Sequence, residues 1–333
     1  MLGPTPIHPL KNLSRYLNGP EIWIKRDDLT GALAELSGNK VRKLEYHFGA
    51  LQERNLDVFI TEGVTSSNHC RQASAAANRL GVRCGLIIKG SPETEDEGNL
   101  PLYQLYGADL HWSGDQTRAD IREAVFKSYQ DKGLSYLHTP TGGSDVLGAL
   151  GYINAAKEIK EQEGQLGLVF DHYVHCTGSG GTEVGMTLGI ETQGLTPSQH
   201  SVMIETHIDD QCIKEMTNAL LEKSREAFGI PTPQLSPCQR HNYVGEGYGE
   251  LTEKEVEATA TFLALESIDL DPVYMAGVGA FMLDACRNGL FAKSDKVLMI
   301  HTGGQSVFFN KKYKQDLVPR LVKKAAEIRA SLA

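Results

Sequence analysis

Residues 35–46 read Glu-Leu-Ser-Gly-Asn-Lys-Val-Arg-Lys-Leu-Glu-Tyr. The stretch marks the start of an amphipathic helix, with Ser37 or Asn39 as its cap and Leu44 as an inward residue. It also places Lys40, Arg42 and Lys43 in a first turn, where cations oppose the helix macrodipole. Local stability does not account for that choice. A lysine whose protonated form is disfavoured becomes a nucleophilic amine, and this is the chemistry the stretch points to.

Around it, short apolar runs alternate with helical patterns, as in an α/β protein whose strands are mostly parallel. Strands are predicted at 57–61, 83–88, 172–176, 201–206 and 296–301, with another within 103–112. Helices are predicted at 73–80, 148–163, from about 183 and at about 317–332. At 333 residues the chain is long enough for two lobes. With 41% hydrophobic and 23% charged residues it has ordinary globular composition. A net charge of −9 argues against nucleic acid or an anionic membrane as partner, though not against a small anion held by a local field. No run approaches the roughly 18 apolar residues of a membrane span. The Met-Leu-Gly-Pro-Thr-Pro start has no signal-peptide pattern, and six scattered cysteines without a Cys-x-x-Cys fit a reducing cytoplasm.

Four polar or glycine-rich segments follow predicted strands or open predicted helices, and in parallel α/β sheets such points lie along the ligand-binding edge. Thr65-Ser66-Ser67-Asn68-His69 offers hydroxyls, an amide, an imidazole and free N–H groups at a helix start. Gly178-Ser179-Gly180-Gly181-Thr182 lets successive amides converge on a phosphate, yet lacks the third glycine of a dinucleotide fingerprint and the lysine of a P-loop. Tyr248 lies between glycines, Tyr274 follows Asp271-Pro-Val, and His301-Thr302-Gly303-Gly304 follows the last strand. His207, Asp209 and Asp210 match no standard metal-ligand spacing, so no metal is expected.

These motifs, in this order and spread over nearly the whole chain, resemble the family of pyridoxal-phosphate enzymes that contains D-cysteine desulfhydrases and 1-aminocyclopropane-1-carboxylate deaminases. The resemblance implies a two-domain fold of the tryptophan-synthase-β type (fold type II), with parallel sheets. Residues 1–48 and 150–333 would form the larger, cofactor-binding domain and 49–149 the smaller one. It implies that Lys40 carries pyridoxal 5'-phosphate as a Schiff base, and that Gly178, Ser179, Gly180, Gly181 and Thr182 hold the phosphate. Ser67 and His69 would hold the substrate carboxylate, with Asn68 at the pyridoxal hydroxyl. Tyr274 would stack on the ring, Tyr248 would act as acid/base or touch substrate, and Thr302 would bond the pyridine nitrogen. Thr141-Gly142-Gly143-Ser144 echoes a family segment read as structural. The implied activity is β-elimination and deamination of a small amino acid, of D-cysteine or L-cysteate type, giving a 2-oxo acid and ammonia. The alternatives are 1-aminocyclopropane-1-carboxylate deamination or cofactor holding without turnover. A homodimer is the family habit.

The chain departs from the family pattern where substrate is met. Ser66 replaces a glutamine, and Met275 stands where the deaminases carry a glutamate against the pyridine nitrogen. That change counts against ring opening and favours substrates with a good β-leaving group.

Overall fold

The computed structural model describes residues 4–31, 37–93, 98–204, 210–231, 238–245, 247, 249–311 and 313–331. Tyr248, His207 and Asp209 lie outside these residues. The strands are β1 (Ile7–Pro9), β2 (Glu21–Lys25), β3 (Val58–Gly63), β4 (Arg83–Ile88), β5 (Asp109–Trp112), β6 (Tyr136–His138), β7 (His172–Thr177), β8 (Ser198–Met203), β9 (Gln239–Asn242) and β10 (Lys296–Ile300). The helices are α1 (Lys11–Leu17), α2 (Lys40–Glu53), α3 (Asn68–Leu80), α4 (Leu100–Leu105), α5 (Arg118–Gln130), α6 (Val146–Leu166), α7 (Gly181–Gln193), α8 (Asp210–Phe228), α9 (Glu253–Glu266), α10 (Met275–Arg287) and α11 (Val318–Ala330).

Two sheets organise the chain. One has the order β1-β2-β10-β7-β8-β9, parallel except for β1, and the other has the order β5-β4-β3-β6 with every pair parallel. Helices cover both faces, so the strands are apolar on both sides. In β2, Ile22 and Ile24 join Val278, Phe281 and Met282 of α10, whereas Trp23 between them faces Tyr152 and Ile159 of α6 and Met186 of α7. In the second sheet Phe59, Leu86 and Ile88 pack on Leu44 and Phe48 of α2, and Val58, Ile60 and Ile87 pack on Val125 and Tyr129 of α5. Each such buried side chain contributes about 1.5–3 kcal/mol. Among the described residues no helix is long and apolar enough to cross a membrane.

Several predicted boundaries move. The helix predicted at 73–80 starts at Asn68, because Ser67 accepts from the Cys70 amide and caps it. β8 begins at Ser198 rather than 201, in register with β7 from His172↔Ser198. α2 does start at Lys40, but the Asn39 side chain does not cap it. Asn39 stands at the cap position without a side-chain capping bond, and the Gln72 side-chain oxygen accepts from the Val41 amide instead.

Beneath β7, β8 and β9 three imidazoles form a hydrogen-bonded row. His172 meets Asp295 at 3.1 Å and His200 at 3.1 Å, and His200 meets His241 at 3.0 Å. Burial, then the neighbouring imidazoles His172 and His241, push the His200 pKa down to about 3. The unfolded chain takes up this proton near its ordinary pKa of about 6.5, and the folded chain does not until far lower pH. Stability is therefore fully present above about pH 6.5 and falls as pH drops from there towards 3. Discounted for partial solvent access, the contribution is about 1 kcal/mol between about pH 7 and about pH 5. Thermal melts across that range should show a shallower slope for His200→Gln than for the wild type; equal slopes would show that the row does not resist protonation.

Candidate active site

The carboxyl edges of β3, β4, β7 and β10 face one cavity of about 560 Å³, and the segments that follow those strands form much of its wall. Lys40 enters as the first residue of α2. Its backbone is pinned from three sides: the Asn39 amide bonds the Thr302 carbonyl at 3.1 Å, the Val41 amide bonds Gln72 at 3.0 Å, and Arg71 donates to the Ser37 carbonyl at 2.9 Å. α6 crosses α2 so closely that a Cβ on Gly151 would stand 2.4 Å from the Arg42 carbonyl oxygen. Burial pushes the Lys40 ammonium below its ordinary pKa, against a smaller opposing influence from Cys176.

The three cations of this first turn have separate tasks. Lys40 lines the cavity. Arg42 points away from it, with its guanidinium bidentate on Asp27 at 2.7 Å for both bonds and reaching Glu158 at 3.0 Å. The Lys43 amine is buried, donating to the Gly142 carbonyl at 3.1 Å and the Ser144 hydroxyl at 3.2 Å. Burial, then the nearby Lys40 charge, drives its pKa well below the usual lysine value.

After β3, the loop to α3 puts Ser67, Asn68 and His69 on the cavity wall. Asn68 accepts from the Asn99 side-chain amide at 3.3 Å. His69 Nε2 meets the Thr61 hydroxyl at 2.9 Å, and its buried Nδ1 has no hydrogen-bond partner among the described residues. Burial, then Lys40, His47 and Lys43, hold this imidazole neutral by pushing its pKa well down. After β7, Gly178 to Thr182 lead into α7. Gly180 has φ +78, a conformation that disfavours a side chain, and a Cβ there would come within 2.8 Å of Thr217. The first amides of a helix have no acceptor within it, so this turn presents N–H groups together with the positive end of the α7 dipole. The Lys43 amine stands behind the turn, 2.6 Å from where a Gly181 Cβ would be. Ser144 and Ser179 are joined hydroxyl to hydroxyl at 2.7 Å.

After β10, Thr302 and Gly303 line the cavity, together with Tyr274 at the start of α10. Asp271 accepts from the amides of Val273, Tyr274 and Met275 at 3.0–3.1 Å, which fixes the backbone of Tyr274. Burial raises that carboxyl to about 6 against the lowering effect of these bonds. The Thr302 hydroxyl lies between two sulfurs, 3.3 Å from Met275 Sδ and 3.5 Å from Cys176 Sγ.

One wall thus collects Lys40, Ser67, Asn68, His69, Gly178, Ser179, Gly180, Gly181, Thr182, Tyr274 and Thr302. Asn39, Cys176, Lys89, Arg118, Thr141 and Gly142 also line it and were not singled out as site residues from the sequence. Thr141-Gly142 carried a usable signal in its Gly-Gly-Ser run. Lys89 and Arg118 carried none beyond their positions at a strand end and a helix start. A glycine turn with free amides, a desolvated amine and a hydroxyl beyond them fit a phosphorylated, aldehyde-bearing aromatic cofactor.

Comparison with known proteins agrees. The family model described as "Pyridoxal-phosphate dependent enzyme" matches residues 1–303, and the chain belongs to that family. It is a pyridoxal-phosphate-dependent lyase of the 1-aminocyclopropane-1-carboxylate deaminase/D-cysteine desulfhydrase type. It is 36% identical over 328 residues to the mitochondrial bifunctional D-cysteine desulfhydrase/1-aminocyclopropane-1-carboxylate deaminase of Arabidopsis thaliana, covering 92% of this chain and 78% of that one. It is 33% identical over 314 residues to a 1-aminocyclopropane-1-carboxylate deaminase of Burkholderia ambifaria, covering 91% and 92%. A crystal structure of an "ACC deaminase homologue" superposes with a TM-score of 0.84 at 29% identity, over 96% of this chain and 94% of that one. Threonine deaminase isoform 2 of Solanum lycopersicum shares the fold, with a TM-score of 0.65 at 15% identity over 97% and 83%.

Proposed function

We propose that the protein catalyses β-elimination on a small amino acid, of the D-cysteine or L-cysteate type, releasing a 2-oxo acid and ammonia. The observation that carries this is the Thr302 hydroxyl set between Met275 Sδ and Cys176 Sγ. Asp271, close by, is occupied by three amides of the Tyr274 turn. A pyridine nitrogen facing Thr302 then meets a neutral hydroxyl and two thio groups, none of which holds a proton on it.

Bound pyridoxal phosphate supplies electron withdrawal from the substrate α-carbon. With a neutral ring that withdrawal is weaker, which favours a substrate whose own β-substituent departs with the electron pair. In this reading Lys40 carries the cofactor, and its amine takes the α-proton. The amides of 178–182 hold the phosphate, Asn68 meets the pyridoxal hydroxyl and Tyr274 packs on the ring. Ser67 and His69 hold the substrate carboxylate. For His69 this requires a proton on Nδ1, and hence that the Thr61 hydroxyl, which donates to the Thr139 carbonyl at 3.0 Å, turns to donate to Nε2 when substrate binds. Tyr248 is assigned acid/base work or substrate contact from the sequence motif alone. The 49–149 segment, with its own parallel sheet, is taken as the smaller of two domains that close on the cavity.

The second reading, opening of 1-aminocyclopropane-1-carboxylate, has behind it the activity for which the Burkholderia ambifaria relative is named. Incubating the holoenzyme with D-cysteine, both enantiomers of cysteate, β-chloroalanine and the cyclopropane substrate separates the two. Release of 2-oxo acid should be faster from at least one β-substituted amino acid than from the cyclopropane, by about tenfold or more if ring protonation is what the cyclopropane lacks. Fastest release from the cyclopropane would overturn the argument from Met275.

A further inference from the structure

The cavity wall carries Lys40, Lys89 and Arg118 but no aspartate or glutamate among its described residues, in a chain of net charge −9. The glycine turn before α7 accounts for the cofactor phosphate, and the free amides at the start of α3 account for an α-carboxylate. Lys89 and Arg118 remain. Both stand at the carboxyl edge of the second sheet, on the same side as Ser67. The Lys89 amide continues the β3–β4 ladder by bonding the Gly63 carbonyl at 3.1 Å, and Arg118 is the first residue of α5. An arginine there opposes the helix dipole, so the helix itself gains nothing from it. Its ion pair with Glu62 is loose, at 3.8 Å, and Glu62 is already served by Arg122 at 2.9 Å and His138 at 3.3 Å.

We infer that Arg118 and Lys89 form a subsite for a second anion on the substrate, so that the favoured substrate is a three-carbon amino acid with a β-sulfonate. This rests on the β-elimination reading above. The balance is complete without an added oxidant or reductant. The α-proton goes to the Lys40 amine, the Cβ–S bond breaks with both electrons leaving on sulfite, and the released enamine takes a proton at Cβ. Water then hydrolyses the imine, so that cysteate and one water give pyruvate, ammonium and hydrogen sulfite.

Two measurements test it. In the first, kcat/KM of the holoenzyme is compared for the cysteate enantiomer it prefers and for β-chloroalanine. The ratio should fall about tenfold in Arg118→Gln and less in Lys89→Gln, with partial recovery in Arg118→Lys, as expected for loss of one charge-assisted contact. In the second, calorimetry compares 3-sulfopropionate with propionate, neither of which has an amine to react. The sulfonate should bind at least about tenfold more tightly to the wild type, and the advantage should shrink in Arg118→Gln. An unchanged ratio together with equal affinities overturns the subsite while leaving turnover of β-chloroalanine to stand. Selective sulfonate binding that depends on Arg118, without release of 2-oxo acid from any β-substituted substrate, supports the subsite and overturns β-elimination. If Arg118→Gln does not fold, exposed Lys89 carries the test through Lys89→Gln and the sulfonate preference of the wild type.

Discussion

Replacing Lys40 with alanine should lower turnover by roughly 10³-fold or more, since it removes both the covalent anchor and the proton-transfer amine. The fold should survive. The segment around Lys40 is held by backbone bonds to Thr302 and Gln72 and by Arg71 on the Ser37 carbonyl, none of which uses the lysine side chain. Removing a desolvated ammonium should leave the melting temperature unchanged or slightly raised. The competing candidate is Lys43, which burial pushes even further from its ordinary pKa. A depressed pKa alone does not make a nucleophile accessible. The Lys43 amine already donates to Gly142 and Ser144 and stands behind the glycine turn, whereas Lys40 faces the cavity. Borohydride reduction of the holoenzyme followed by peptide mapping should mark Lys40. A mark on Lys43, or a Lys40→Ala variant that keeps its rate, would defeat the assignment.

Much of this arrangement was legible in the sequence because the informative residues are local. β3, β4 and β10 carry short apolar runs and β7 a Tyr-Val pair between histidines, and each leads into a polar or glycine-rich segment, the pattern of a parallel sheet delivering loops to one edge. Elements without such a pattern were not anticipated. β9 reads Gln-Arg-His-Asn and is an edge strand that carries a part-buried histidine of the imidazole row. β2 ends in Lys25, a fully buried lysine whose partner Glu158 lies far along the chain. α10 opens Met-Ala-Gly-Val-Gly, whose two glycines and valine weaken a helix that packing under β2 and β7 and the Asp271 carboxylate on its first amides hold in place.

The cap of α2 shows the same limit. Asn39 has the right chemistry at the right place, but the oxygen that meets the Val41 amide belongs to Gln72, 31 residues later. The three cations of α2 were rightly read as unexplained by their own helix. Only one of them faces the cavity, and which one is a matter of contacts from residues 99 to 116 positions away. No local reading resolves that.

Arg42 is where the second large effect is expected. Its guanidinium makes two 2.7 Å bonds to Asp27, one of 3.0 Å to Glu158 and one of 3.0 Å to the Thr5 hydroxyl, while Lys25 pairs with Glu158 and Tyr152 donates to Asp27 at 3.2 Å. Burial alone would raise the Asp27 carboxyl, but Arg42 overcomes it and holds the pKa below the ordinary value. Arg42→Met leaves Asp27 buried without its guanidinium and Glu158 with Lys25 alone. Breaking a buried pair from one side costs about 3–5 kcal/mol, because the remaining charge stays desolvated. A drop in melting temperature of about five degrees follows for a chain of this size. Arg42→Lys should recover only part of it, since an ammonium cannot bond both Asp27 oxygens at once. The loss should also depend on pH. A carboxylate with a depressed folded pKa stabilises the fold above its unfolded value of about 3.9 and loses that stabilisation as pH falls through the folded value. The gap between wild type and Arg42→Met should therefore be widest near neutrality and narrow in acid. Since Arg42 follows Lys40 by two residues, the variant should also release cofactor on dialysis under conditions where the wild type retains it. A melting temperature within about one degree of the wild type, a shift worth under about 1 kcal/mol, would show that the network is dispensable and that the position of Lys40 is set elsewhere.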